Sequence, residues 1–228
     1  MTTTHSSSAV RPPRDVPLGS PTRPSWRGRL HLLTLGLVTP LSVLAVVDAR
    51  GGPIRIGVAV YAVGLCSMFL VSTTYHRWVH TMRARAAWRR ADHVMIFVAI
   101  AATSTPVCLT LFSAGSAAWR LAAIWTIAAI GVAAKATGTR RGNLLGNALY
   151  IVNGWAGVAM LPALWAHGDV TATVLLIVGG VVYTVGAIGF ARRWPRLRPS
   201  VFGYHEVWHA ATIAAAGTHL LAVWMITS

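Results

Sequence analysis

The chain has 228 residues, 55% hydrophobic and 11% charged, with a formal net charge of +15. Apolar runs near twenty residues long recur along it, which excludes a soluble domain and points to an integral membrane protein. The positive charge is not that of a nucleic-acid-binding face: the arginines lie between the apolar runs, and no stretch is long enough for a soluble domain to display them.

Residues 1–25 are rich in Ser, Thr, Pro and Arg and have no apolar core. They read as a disordered polar tail and not as a signal peptide. Residues 26–228 then form one transmembrane domain. Spans are predicted at about 31–48, 54–76, 92–112, 119–137, 144–166, 170–190 and 203–227, an all-α bundle of seven helices. Turn or charge signals separate them: Gly51-Gly52-Pro53, the arginine run 83–90, Ser113–Ser116, Thr137–Gly142, His167-Gly168-Asp169 and Arg192–Pro199. Pro40 predicts a kink in the first span. Cys66 and Cys108 fall inside apolar runs and make no disulfide framework. Trp26, Trp78, Trp88, Trp119, Trp165, Trp194 and Trp224 fall near span ends, as an interfacial belt does. Glycines 154 and 157 in the fifth span, and 179, 180, 186 and 189 in the sixth, are expected to let helices approach closely.

Charge sets the expected orientation. Seventeen Lys and Arg residues fall on the side of the N-terminus, and only Arg50, Arg55 and Arg120 on the other. The N-terminus is therefore expected in the cytoplasm and the C-terminus outside. That is opposite to a G-protein-coupled receptor. A retinal protein is excluded as well, because the only lysine, Lys135, is not in the last span.

With this topology, polar residues from three spans meet at one leaflet. The second span ends Ser72-Thr-Thr-Tyr-His76, the third starts with Asp92-His93, and the seventh starts with His205 and His209. Of five acids, Asp15 is in the tail, Asp48 and Asp169 are at outer ends, and Asp92 and Glu206 are at this inner end. An intramembrane ionisable residue marks function unless it is paired. Ser72 and His76, like His205 and His209, are four apart and share a helix face. His76, His205 and His209 supply three imidazole ligands for Zn2+, with a fourth position left for water. Asp92 is placed to accept a hydrogen bond from that water or to orient a ligand. Ser72 is placed to steady a ligand or to donate to an oxyanion. His31 lies at the same face and has no assigned role.

The pattern Ser72-x3-His76, Asp92, His205-x3-His209 resembles that of the haemolysin III and progestin–adiponectin receptor group. That group sits within a wider set of seven-helix membrane hydrolases that includes alkaline ceramidases. The resemblance spans roughly residues 26–227 and extends to Ala91-Asp-His-Val-Met-Ile-Phe97, Thr103-Ser-Thr-Pro106 and Phe202-Gly-Tyr-His-Glu-Val-Trp-His209. It implies a zinc site on His76, His205 and His209 near the cytoplasmic leaflet, with Asp92 and Ser72 around it. The chain departs before the first span. Many relatives carry an acidic, asparagine-containing motif there, and this chain has Ser25-Trp-Arg-Gly-Arg-Leu-His31.

His205, Glu206 and His209 also match His-Glu-x-x-His, the zinc-protease signature. No acid follows Glu206 to serve as the usual third ligand, so that reading is set aside, and Glu206 is expected to pair with an arginine of the preceding loop. The function expected is hydrolysis of a lipid amide or ester by a multi-pass protein of the cell membrane. The partners expected are membrane lipid and zinc, with no nucleic acid. The alternative is a non-enzymatic regulator of the bilayer, or a pore-former, with structural zinc.

Overall fold

A computed structural model of the protein describes residues 24–228, apart from the side chain of Met82. The tail expected over 1–25 lies outside the described residues except for Pro24 and Ser25. The elements in chain order are α1 (Arg29–Asp48), α2 (Pro53–Arg77), α3 (Met82–Leu111), α4 (Ala114–Ala136), α5 (Arg140–Ala156), a single 3-10 turn (Val158–Met160), α6 (Leu161–Ala166), α7 (Val170–Arg192) and α8 (Tyr204–Thr227). Among the described residues there is no strand. With α5, the 3-10 turn and α6 taken together, seven segments are long and apolar enough to cross a bilayer. The protein is a multi-pass membrane protein.

Local chemistry sets the helix ends. Pro53 occupies the first turn of α2, where a missing N–H costs nothing. Thr81, Thr139 and Asp169 cap α3, α5 and α7, each side chain accepting the amide of the third residue onward. α1 runs continuously through Pro40.

Two predicted boundaries are corrected. α3 starts at Met82, ten residues before the predicted 92, so the arginine run is helical. Ala and Arg are strong helix formers, and a helix can extend past the hydrocarbon edge into water. The fifth span is broken at Val158–Met160. Gly154 and Gly157 weaken the helix there, and Pro162 suits the start of a new one.

The core is built around α2, α3 and α8. Of the apolar windows of α3 and α8, 44% is buried, against 11% for α7. α2 lies against α3, and α7 and α1 lie against α8. Close approach of α2 and α3 needs glycine: a Cβ on Gly64 would sit 2.5 Å from that of Ala102. Gly179 and Gly186 of α7 serve α8 in the same way, against His219 and Ala211. The expectation fails for Gly154 and Gly180, which have nothing within 4 Å and face outward. Trp78, Trp119, Trp165 and Trp194 are exposed near span ends, as a belt requires.

Candidate metal centre

α2 delivers Ser72 and His76 in its last turns, both buried. α8 delivers His205 and His209 in its first two turns. α3 delivers Asp92 from inside the helix, about three turns from its start, and not from the helix end the sequence predicts. All five residues assigned from the sequence come together.

The Nε2 atoms of His76 and His205 lie 3.3 Å apart. Ring centroids are 4.8 Å apart for His76 and His205, 5.0 Å for His76 and His209, and 4.6 Å for His205 and His209. One nitrogen from each of the three lies within 4.8 Å of the others. Ligands on a tetrahedral ion at 2.0–2.1 Å are separated by about 3.4 Å. The His76–His205 pair already has that spacing, and the other pairs, within 4.8 Å, need shifts of at most about 1.4 Å to reach it. The three histidines can form a metal site.

Asp92 Oδ2 is 4.0 Å from His76 Nε2. Ser72 lies beside the Asp92 carboxyl, so the acid faces the helix that carries His76. Phe190 of α7 meets His205 edge-on at 5.3 Å, so one wall of the cluster is apolar.

His31 of α1 is also buried here. Its ring stacks on that of His209, with centroids 3.9 Å apart and planes 15° from parallel. A ligand lone pair lies in the plane of its ring. An ion held in the plane of His209 is therefore well out of the plane of His31. The group of nitrogens that could share an ion comprises His76, His205 and His209, and His31 is not among them. Neither nitrogen of His31 has a hydrogen-bond partner. Phe69 supports its other side, edge-on at 5.0 Å.

Glu206 is not free to act as a base. It is 1% exposed, and its Oε1 takes the Nε–H of Arg27 at 2.5 Å. Its Oε2 accepts the amide of Gly203 at 2.8 Å. The sequence placed its partner in the loop before α8; the partner instead precedes α1. That arginine belonged to a charge count, and nothing in its local sequence marks it as paired. His219, further along α8, contacts the carbonyl of Leu176 at 3.3 Å and helps hold α7, as expected for a core histidine.

The family model described as Haemolysin-III related matches residues 20–220. Hemolysin-3 of Bacillus cereus is 30% identical over 165 residues, covering 72% of each chain. The Hemolysin-3 homolog of Bacillus subtilis is 26% identical over 164 residues, 72% of this chain and 74% of its own. The human Monocyte to macrophage differentiation factor is 25% identical over 170 residues, 72% of this chain and 68% of its own.

Proposed function

This chain belongs to the haemolysin-III related family, and from that premise we propose that it is a zinc-dependent hydrolase of the cell membrane, cleaving an amide or ester bond of a lipid presented from the cytoplasmic leaflet. The observation that carries the proposal is the meeting of His76, His205 and His209 within 4.8 Å, with Asp92 beside them. The seventeen-to-three division of Lys and Arg supports a cytoplasmic position for this end of the bundle.

Three nitrogen donors with no fourth imidazole in reach suit zinc in an open, catalytic arrangement. A bound zinc ion supplies Lewis-acid polarisation of a carbonyl and acidification of a water molecule. The protein's own residues do the rest. Asp92 takes the proton of the attacking water and returns it to the leaving amine or alcohol. Ser72, beside the Asp92 carboxyl, orients that acid or donates to the developing oxyanion. Phe190, edge-on to His205, gives the cluster an apolar neighbour on that side.

The test is metal analysis of the purified protein together with hydrolysis of fluorogenic lipid amides and esters in mixed micelles. Zinc near one per chain is expected. Asp92→Asn is expected to keep the zinc and to lose activity by about 10²–10⁴-fold, the usual worth of a general base. Wild-type protein without zinc would refute the proposal.

The name of the Bacillus cereus relative, Hemolysin-3, favours a second reading, a lytic membrane protein with structural zinc. It predicts leakage from dye-loaded vesicles that Asp92→Asn leaves unchanged.

A further inference from the structure

Glu206 stands between two ligand positions yet faces away from the cluster. On a helix its side chain is about 100° round from that of His205. It is among the largest fully buried side chains, and both of its oxygens are engaged. A buried carboxylate persists only where it is paired and hydrogen-bonded. Its pairing therefore fixes where the first turn of α8 can sit.

The cap of α8 makes that constraint tight. Gly203 stands at the N-cap and has no side-chain oxygen to accept an amide of the first turn. Glu206 reaches back to the Gly203 amide and places negative charge at the positive end of the helix dipole. His205 lies inside that same turn, and His209 one turn on.

The partner, Arg27, is 179 residues away in sequence and belongs to a segment with its own anchors. The Ser25 amide donates to Ser200 O at 3.0 Å, and the Trp26 amide to Val201 O at 3.2 Å. The chain then turns at Gly28, with φ +73°. A Cβ there would lie 2.7 Å from His76 Cβ and 2.9 Å from Arg77 Cγ. The turn is thus seated on the end of α2, directly against a ligand. Three residues later His31 lies on His209. One short segment touches both helices that carry the imidazoles.

We propose that Arg27 and Glu206 are a positioning pair for the imidazole cluster. The ion pair ties the first turn of α8 to the segment seated on α2, and so sets His205 and His209 at their spacing from His76. This rests on the metal reading above and deepens it. It also gives the glutamate of the His-Glu-x-x-His match a structural role in place of that of a base.

The test uses the full chain in nanodiscs. Wild type, Arg27→Ala, Arg27→Lys, Glu206→Gln and the exchanged pair Arg27→Glu/Glu206→Arg are titrated with zinc against a competing chelator. Their visible spectra are recorded with cobalt(II) in place of zinc. Arg27→Ala and Glu206→Gln are expected to weaken zinc binding by about 10–100-fold, the usual effect of losing a group that orients a ligand, and to alter the cobalt bands. Arg27→Lys, and the exchanged pair relative to either half, should recover part of the affinity and the spectrum. Should Arg27→Ala fail to fold, Glu206→Gln decides, because it keeps the side-chain volume and an oxygen for the Gly203 amide. Zinc affinity and cobalt spectrum both unchanged in Glu206→Gln overturn the inference while the metal site stands. A wild-type protein that binds neither metal overturns the metal reading, and the inference with it.

Discussion

Both ends of the bundle cap helices with polar side chains, but only one also gathers polar groups against each other. At the end away from the imidazoles, Arg50 and Arg55 complete helix ends. The Arg50 guanidinium donates to Ile226 O, and its backbone amide to Thr227 O at 2.8 Å, which satisfies terminal carbonyls of α8. Arg55 donates to Ala49 O at 2.8 Å and to Val47 O at 3.3 Å, at the end of α1. Arg120 donates to Ser116 O at 3.1 Å and lies 4.0 Å over the Phe112 ring. Asp48 accepts the Trp224 indole at 2.7 Å, and Asp169 caps α7. The three arginines that run against the overall charge bias are accounted for by helix ends and by the Phe112 and Trp119 rings.

At the other end, polar groups face one another. His76, His205 and His209 turn nitrogens toward a common point, Asp92 stands beside them, and His31 keeps two nitrogens without a partner. There the polar groups meet one another and not the backbone of a helix end, His76 facing His205 at 3.3 Å and Asp92 at 4.0 Å, which gathers donors from three helices at one point.

The contrast can be broken from either side, and the largest effect is expected at the imidazoles. His205→Ala with His209→Ala should reduce zinc from about one per chain to none by elemental analysis, with helix content by circular dichroism unchanged. Retained zinc would remove the distinction between the ends. Gly28→Val comes next. It forces a branched residue into a left-handed conformation, which costs about 1–3 kcal/mol, and drives its Cβ against His76. Both the melting temperature and the zinc affinity should fall, and an unchanged affinity would separate the turn from the site. Arg50→Ala should cost about 1.5–3 kcal/mol by exposing charge-paired carbonyls of α8, read as a lower melting temperature with zinc affinity intact. Asp169→Ala should cost about 1 kcal/mol through the lost cap, again without effect on zinc. If either far-end variant weakened zinc binding, the two ends would be coupled and the comparison too simple.

Most of the site could be read before any coordinates. Two four-residue spacings put Ser72 with His76 and His205 with His209 on shared faces, and counting spans put all four at one end with Asp92. The boundary of α3 was not legible, because the arginine run was weighed as charge and not as helix former. The partner of Glu206 was not legible either. With twenty cations in the chain, nothing local singles out Arg27, and the pairing spans 179 residues. Nor did the sequence reveal the stacking of His31 on His209, which depends on how α1 is turned about its axis.

The sequence alone determined the number of spans, the family and the shared end of the candidate ligands, because hydropathy is a local property and parity follows from counting. Only the tertiary structure decided which rings approach within a few ångströms, which acid is paired and which is left beside them. Inside a bilayer the hydrophobic effect does not choose one helix face over another. Lateral order there comes from close contacts such as Gly64 on Ala102 and Gly28 on His76, which exist only once the helices are packed.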